Sequence, residues 1–413
     1  MNARIDTAAM VAGAVAALGP GPLTEHALAR HVAPLFSRVL QRNPREIYLA
    51  NHSLGRPLDA TANDVAEAVT LWQMRIEQAW EGWSAEMSAY RERLARLLGA
   101  VRADCIVPKT SAGQGLRAIL NTYDTVPRVV ATRGEFDSID VILRQYALRK
   151  RIDLRFVEAR TDGHFDADDL LSAVRAGADL IVVSQVVFTT GQVLPALPEI
   201  IAAAHAAKAR VLVDVYHSLG VFPIDIAALD ADFAVGGSYK YLRGGPGACF
   251  LYLHPRYVDG SLTTLDTGWF AKEDPFTYQR PEPPRWAQGG DAFLESTPPI
   301  LTWYQARAGQ VLTLALGVER MRAYSLALQR RLIGLLHDRG IQATGGDAHH
   351  GAFCVVSFAA QAEGSAAHCA KKLAERGLAC DGRGPWLRLC PDILTSDDEL
   401  QRAAAILAVA ICA

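Results

Sequence analysis

The sequence has no uninterrupted apolar stretch of the roughly 18 residues that a membrane-spanning helix requires, so no membrane partner is expected. Residues 1–22 contain a short apolar section after a single arginine. They lack the basic region and the small-residue cleavage site of a secretory signal peptide. We therefore expect an amphipathic or frayed N-terminal segment there.

Paired cysteines and an excess of one charge are also missing. Seven cysteines occur without a C-x-x-C pair, so neither a disulfide framework nor a zinc or other metal site is predicted. Lysine and arginine number 42 and aspartate and glutamate 44, a net charge of −2 that does not favour binding to nucleic acid. We expect buried, reduced thiols in a cytoplasmic protein.

The chain does contain an alternation of apolar runs and helical stretches. Its 413 residues suffice for two or three domains of about 100–200 residues, or for one large α/β unit. The runs are continuously apolar, which is typical of parallel strands buried on both faces. They cover residues 105–108, 128–132, 154–159, 179–188, 210–216, 232–238 and 249–254. Helix-like segments separate them, so we predict an α/β fold with a mostly parallel sheet and helices on both faces.

The flanking segments differ from this pattern. Residues 60–100 have helical periodicity with Gly99 as a stop, and residues 265–299 are proline-rich and irregular, which is typical of a functional loop. A helical stretch and a small α+β unit follow. We predict three parts: an N-terminal segment that packs with the small domain (1–58), a large α/β domain (59–300) and a small C-terminal domain (301–413).

Four polar groups follow predicted strands, where ligands bind in doubly wound sheets. Residues 109–115 open a helix whose free N–H groups suit a phosphate, or are a helix cap without a ligand. Asp214 could cap a turn or hold a protonated ring nitrogen. Lys240, in a glycine-dense loop, could be solvated or form a Schiff base. Arg388 could make a structural ion pair or clamp a substrate carboxylate.

Together these features resemble the kynureninase branch of the fold-type I, class V aminotransferase-like enzymes, which use pyridoxal 5′-phosphate (PLP). The resemblance covers residues 47 to about 400. It is carried by the motifs Asn51-His52-Ser53-Leu54-Gly55, Asp214-x-x-His217, Ser238-Tyr239-Lys240-Tyr241-Leu242, Gly244-Gly245-Pro246-Gly247, Gly268-Trp269-Phe270 and Ser296-Thr297-Pro298-Pro299. It implies a PLP-dependent transferase-like fold with a mainly parallel seven-stranded sheet and a smaller α+β C-terminal domain.

The resemblance implies a role for each matching residue. Lys240 is expected to bind the cofactor covalently and to shuttle protons, and Asp214 to pair with the pyridinium nitrogen. His217 is expected near the phenolic oxygen or in support of Asp214, and Tyr239 as a general acid–base group. The other implied contacts are Phe136 stacking on the ring, Ser138 beside it, Ser111, Ala112, Ser184 and Tyr239 on the phosphate, Trp269 and Thr297 reaching over from a partner subunit, and Arg388 and Ser53 on the substrate.

The implied reaction is hydrolysis of the Cβ–Cγ bond of L-kynurenine, or 3-hydroxykynurenine, to anthranilate, or 3-hydroxyanthranilate, and L-alanine. The implied partners are an amino acid substrate and a second copy of the chain, in a homodimer with shared active sites. This activity would belong to tryptophan catabolism.

Several positions depart from the branch pattern. His52 replaces an asparagine and Ile139 an aspartate near the cofactor, for which Asp137 or Asp140 could compensate. Arg243 replaces another asparagine and Lys272 a histidine, so we hypothesise that an added cation favours an acidic or hydroxylated substrate. The motif that shapes the aryl pocket is not found around Trp80 and Trp83.

Three alternatives stay open at this stage. A class V aminotransferase or another α-amino acid lyase would share Lys240 and Asp214, because the fold fixes the cofactor while the site selects the bond that breaks. A cysteine desulfurase would need an exposed, mobile cysteine, for which only Cys380 is a candidate. A non-catalytic PLP-binding protein is disfavoured because Lys240 is present.

Overall fold

A computed structural model describes residues 6–358 and 365–411. The α-helices are α1 Thr7–Ala16, α2 Glu25–His31, α3 Ser37–Arg42, α4 Ala60–Arg75, α5 Ala79–Leu98, α6 Ala112–Leu120, α7 Asp137–Leu148, α8 Ala167–Arg175, α9 Leu197–Ala206, α10 Ile226–Leu229, α11 Ile300–Leu316, α12 Val318–His337, α13 Ser365–Glu375 and α14 Asp397–Ile411. The β-strands are β1 Ile47–Tyr48, β2 Ile106–Lys109, β3 Arg128–Thr132, β4 Asp153–Val157, β5 Leu180–Ser184, β6 Arg210–Asp214, β7 Phe233–Gly237, β8 Cys249–Leu253, β9 Cys354–Ser357, β10 Leu378–Ala379, β11 Asp381–Arg383 and β12 Trp386–Leu389.

The central sheet confirms the predicted architecture. It has seven strands in the order β2-β8-β7-β6-β5-β3-β4, and β8 pairs antiparallel with both of its neighbours while the other pairings are parallel. Every residue of β5 and β7 is buried, as expected of continuously apolar strands covered on both faces. The carboxyl ends of β5, β6 and β7 therefore meet at one edge of the sheet.

A separate antiparallel sheet lies in the C-terminal part, in the order β11-β12-β9. This agrees with the small α+β unit predicted there. The N-terminal segment contributes β1, which pairs in parallel with β10, so Ile47 lies opposite Leu378. The exact domain limits of 1–58, 59–300 and 301–413 remain a prediction.

The segment between residues 265 and 299 confirms the expected irregular connection. Within it the chain forms only short 3₁₀ turns at Trp269–Ala271, Pro275–Thr277 and Gly289–Phe293. The predicted helical stretch before the sheet is also present as α4 and α5, and Gly99 ends α5 in the left-handed conformation with φ 67°.

The N-terminal segment is helical where it is described, and residues 1–5 lie outside that part. Val11 of α1 is fully buried in a cluster with α11, and Thr7 donates a hydrogen bond to Asp64 of α4. Of the cysteines in the described ranges, all are unpaired thiols, five are buried and Cys380 is half-buried, whereas Cys412 lies outside them. Within residues 6–358 and 365–411, no helix has the length and hydropathy to cross a membrane.

Candidate active site

A cavity of about 450 Å³ opens at the carboxyl ends of β5, β6 and β7, a volume that suits a cofactor with its substrate. It brings together ten of the residues predicted from the sequence, namely Ser53, Ser111, Ala112, Phe136, Ser138, Ser184, Asp214, His217, Tyr239 and Lys240. Arg388, Trp269 and Thr297 are not among its lining residues.

Lys240 lies in the loop after β7 and is only 4% exposed. Its Nζ is 2.5 Å from His217 Nε2 and 5.3 Å from the centre of the Phe136 ring. Burial lowers the pKa of Lys240, while the nearby carboxylate of Asp214 opposes that shift. A lysine with a depressed pKa supplies the neutral amine that a Schiff base requires.

Asp214 ends β6 and caps a turn, one of the two alternatives that its sequence position left open. Its Oδ1 accepts a hydrogen bond of 2.7 Å from the backbone N–H of Tyr216, which caps the following turn. Its other oxygen has no hydrogen-bond partner in the described parts of the chain, and the residue lines the cavity. Burial raises the pKa of Asp214, and a cation placed beside it would restore the charged form.

His217 lies between Lys240 and the buried hydroxyl of Tyr241. Its Nδ1 is 3.0 Å from the hydroxyl of Tyr241, and its ring meets Phe353 edge-on. Burial, together with the charge of Lys240, keeps the pKa of His217 well below its ordinary value. When Nδ1 accepts the Tyr241 hydrogen, the neutral ring carries its proton on Nε2, which lies 2.5 Å from Lys240 Nζ. A phenolate oxygen beside Lys240 could accept that proton as a hydrogen bond.

The opposite end of the cavity is formed by the start of α6. Ser111 caps this helix by accepting a hydrogen bond of 3.1 Å from the N–H of Gln114, and Thr110, Ser111 and Ala112 line the cavity. Free N–H groups and the positive end of the helix dipole favour a phosphate at such a position. Tyr239 also faces the cavity, and burial raises its pKa to about 12, so its hydroxyl remains a proton donor.

Ser184 has a different partner from the one the sequence suggested. Its hydroxyl donates to Oε2 of Glu135 at 2.6 Å, and its backbone N–H donates to Oε1 at 3.1 Å. Glu135 was not identified from the sequence, because an acid beside Arg133 and Gly134 is typical of a solvated turn. Burial raises the pKa of Glu135 to about 7 against these hydrogen bonds.

The two predicted substrate contacts converge on an acid that the sequence did not single out. Asp381 Oδ1 accepts hydrogen bonds from Arg388 Nη2 at 2.7 Å and Nε at 3.2 Å, and Oδ2 accepts one from Ser53 Oγ at 2.7 Å. Arg388 Nη1 also donates to the carbonyl of Phe188, which lines the cavity. Arg388 is thus in an ion pair with Asp381, and its Nη1 is held against the cavity wall at Phe188.

Trp269 and Thr297 lie away from their own cavity and contact each other, with Trp269 Nε1 3.2 Å from Thr297 Oγ1. Trp269 belongs to an aromatic cluster with Trp80, Trp83, Phe270, Phe276 and Tyr278. Phe276 and Tyr278 are 47% and 71% exposed, so the cluster presents an apolar surface.

The departures from the branch pattern are explained only in part. Arg243 pairs with Asp392 at 3.0 Å, and Lys272 donates to the carbonyl of Gln279 at 2.9 Å. Neither cation lines the cavity. The hypothesis that an added cation favours an acidic substrate therefore has no support within one chain. Asp137 is exposed, Asp140 pairs with Arg144 at 2.8 Å, and neither of the two aspartates lines the cavity.

His52 is a further departure, and its surroundings are unusual. It is 1% exposed, and neither ring nitrogen has a hydrogen-bond partner in the described parts of the chain. Its ring lies 5.1 Å from that of Phe353. Burial and the charges of Arg388 and Lys240 keep its pKa well below the ordinary value, so His52 is neutral.

These residues fit PLP. The cavity has a buried amine, a carboxylate with a free oxygen, a neutral histidine, an aromatic ring and a helix start around one space of suitable size. Among the described residues, no group of three or more histidine, cysteine, aspartate or glutamate side chains could hold a metal ion.

Sequence comparison decides the family. The profile of the aminotransferase class-V family matches residues 73–385. The chain belongs to that family. Within it, the chain is 30% identical to the kynureninase of Deinococcus radiodurans over 301 residues, which cover 70% of this chain and 71% of that protein. It is 26% identical to the kynureninase of Bacillus mycoides over 366 residues, which cover 84% of this chain and 83% of that protein. The chain therefore lies in the kynureninase branch of the fold-type I PLP enzymes.

Solved structures of low sequence identity share the fold. The cystine C–S lyase C-DES, in complex with cysteine persulfide, has a TM-score of 0.78 at 21% identity and covers 90% of this chain and 98% of its own. A C-DES mutant with glycine covalently linked to its PLP cofactor has a TM-score of 0.77 at 20% identity. The match covers 91% of this chain and 98% of the mutant's chain. The class V enzyme described here is PLP-dependent.

Proposed function

We propose that this class V enzyme is a kynureninase-like hydrolase that cleaves the Cβ–Cγ bond of L-kynurenine or 3-hydroxykynurenine. The observation that carries the proposal is the 30% identity to the Deinococcus radiodurans kynureninase over 70% of the chain. The arrangement of Lys240, Asp214 and His217 in one buried cavity supports it. With this activity the enzyme would act in tryptophan catabolism, and a cytoplasmic location stays a prediction.

The bound cofactor supplies an electron sink for bonds at the substrate Cα and Cβ. Asp214 would keep the ring nitrogen protonated, because an ionised carboxylate beside a pyridinium favours the charged pair. His217 would donate from Nε2 to the phenolic oxygen, and Phe136 would stack on the ring. The amine of Lys240 would hold the cofactor and would act as the base that takes the proton from the substrate Cα and releases it at C4′.

The substrate end of the cavity is proposed to lie between Ser53 and Arg388. Arg388 binds the α-carboxylate through the hydrogens that Asp381 leaves unused, and Asp381 fixes the plane of its guanidinium. A water molecule would add to the γ-carbonyl, the Cβ–Cγ bond would break, the acyl half would leave as the aryl carboxylic acid and Cβ would take up a proton. Tyr239, which stays protonated because burial raises its pKa to about 12, would donate that proton.

The active site is proposed to be completed by a second copy of the chain. Trp269 and Thr297 do not line their own cavity, and the aromatic cluster around Trp269 exposes Phe276 and Tyr278. In a homodimer these apolar side chains would be covered, and Trp269 would reach the partner's cofactor site. This would also supply the aromatic wall that the sequence around Trp80 and Trp83 does not identify.

The test is anthranilate release from L-kynurenine by the purified protein with added PLP, beside a Lys240→Ala variant. We expect product from the wild type and at least about a thousandfold less from the variant, because the covalent and proton-transfer steps both need the amine. A yellow wild-type protein that releases neither anthranilate from L-kynurenine nor 3-hydroxyanthranilate from 3-hydroxykynurenine would contradict the hydrolase proposal. Amino-group transfer to a 2-oxo acid would then be assayed with the same pair of proteins.

A further inference from the structure

Glu135 is a buried carboxyl group behind the wall of the cofactor cavity. It lies between β3 and Phe136, is only 3% exposed and does not line the cavity itself. Its acceptors are occupied by the hydroxyl of Thr132 and by the N–H and hydroxyl of Ser184. No lysine, arginine or histidine of the described residues contacts it, although a buried carboxylate without a cation is costly.

Ser184 connects Glu135 to the ring-nitrogen end of the cavity. Ser184 ends β5 and is the register partner of Asp214, which ends β6. Both side chains line the cavity, so they lie on the same face of the sheet. A serine hydroxyl has a single hydrogen, which can be donated to one carboxylate only. Here it is donated to Glu135, and Asp214 retains an oxygen with no donor among the described residues.

We propose that Glu135 is a positioning residue for Asp214: by accepting the Ser184 hydrogen, it keeps the second oxygen of Asp214 free for the protonated ring nitrogen of PLP. A hydrogen bond from Ser184 to Asp214 would stabilise that carboxylate and make it less basic, so its hold on the ring proton would weaken. Three hydrogen bonds donated to Glu135, by Thr132 and by the N–H and hydroxyl of Ser184, favour its ionised form, which is the form that accepts them.

The proposal rests on the proposed pairing of Asp214 with the ring nitrogen, but not on which substrate is cleaved. Its test is therefore a binding measurement. The protein without cofactor is titrated with PLP and with an analogue in which C–H replaces the ring nitrogen, and tryptophan fluorescence and visible absorbance report binding. Failure to hydrolyse L-kynurenine would leave this test unaffected.

We expect Glu135→Gln to weaken PLP binding about fivefold, the value of one net hydrogen bond, and to leave the analogue within about twofold. The PLP affinity falls because the Ser184 hydroxyl, no longer donating to Glu135, can donate to Asp214. In a Ser184→Ala background, Glu135→Gln should therefore change PLP affinity by less than about twofold. Thr132→Val is the matched control, because it removes a hydrogen bond to Glu135 and leaves Ser184 in place.

Two results would overturn the proposal. If Glu135→Gln lowers the affinity for PLP and for the analogue equally, Glu135 supports the shape of the site and not the contact with the ring nitrogen. If Glu135→Gln lowers the PLP affinity as much in the Ser184→Ala background as in the wild type, the Ser184 hydroxyl does not connect Glu135 to Asp214. If Glu135→Gln does not fold, Glu135→Asp, which withdraws the carboxylate from Ser184, takes its place in the same titrations, with the same expected contrast between the two ligands.

Discussion

Three buried arginines of this protein are neutralised by two aspartates of the C-terminal part of the chain. Arg388 pairs with Asp381, and Arg56 and Arg243 share Asp392. Removing one partner of such a pair leaves a buried charge uncompensated, which costs about 3–5 kcal/mol. The Arg388 side chain donates to Phe188 in the cavity wall, whereas Arg56, Arg243 and Asp392 do not line the cavity. The two groups can therefore be compared.

We expect Asp381→Asn to destabilise the protein and, unlike the wild type, to regain much of that stability when L-alanine is added. The reason is that the α-carboxylate of the amino acid replaces the lost negative charge on Arg388. The measurement is the thermal unfolding midpoint of the PLP-loaded protein with and without L-alanine.

Asp392→Asn is the control for this prediction, because it breaks a buried arginine–aspartate contact whose members do not line the cavity. It should lose stability to a similar extent and respond to L-alanine no more than the wild type does. An equal response of all three proteins would contradict the assignment of Arg388 to the substrate carboxylate.

Some residues of the candidate site could be predicted from the sequence and others could not. Asp214 and Lys240 could be predicted because each follows an apolar strand, and such residues converge at one sheet edge. Glu135 and Asp381 could not, because each has a partner that is distant in sequence: Ser184 for Glu135 and Ser53 for Asp381. A contact between strands that are far apart in sequence leaves no local pattern.

At the scale of elements, the loop before α4 packs directly on the loop that carries Lys240. The N–H of Gly55 donates to the carbonyl of Tyr239 at 2.8 Å, and a Cβ at Gly55 would lie 1.9 Å from the carbonyl oxygen of Lys240. Both neighbours are backbone, so neither can move aside as a side chain would.

We therefore expect Gly55→Ala to push the Lys240 loop out of place. The free energy of unfolding should fall by about 1–3 kcal/mol, as for other overpacked sites, and the PLP absorbance band should be lost or shifted. Urea denaturation and a visible spectrum measure the two effects. Gly334→Ala in α12, where a Cβ meets nothing within 4 Å, should instead be neutral or slightly stabilising. An unchanged spectrum in Gly55→Ala would contradict this coupling between loops.

Elements were easier to predict than their contacts. The apolar run 128–132 corresponds to β3 without an error, because a buried parallel strand has a continuous signal. The run 179–188 is longer than β5, which ends at Ser184, because the chain turns there into the cavity wall. The pairing of β1 with β10, across more than three hundred residues, has no signal in two residues of sequence.

At the scale of the whole molecule, the proposed site is divided between two chains. Each chain holds its own Lys240 in the cavity, while Trp269 lies beside exposed aromatic side chains outside it. A Lys240→Ala chain would then still supply a working Trp269 to its partner, and a Trp269→Ala chain would keep a working Lys240.

Mixing these two inactive variants tests that division. If they are unfolded together, refolded with PLP and allowed to reassociate, the mixed dimers should regain one complete site, from Lys240 of one chain and Trp269 of the other. Random pairing of equal amounts makes about half of the dimers mixed, so activity should reach about a quarter of the wild-type value. Each variant refolded alone is the control. Recovery no greater than the sum of the two controls would mean that Trp269 acts within its own chain, or not at the active site.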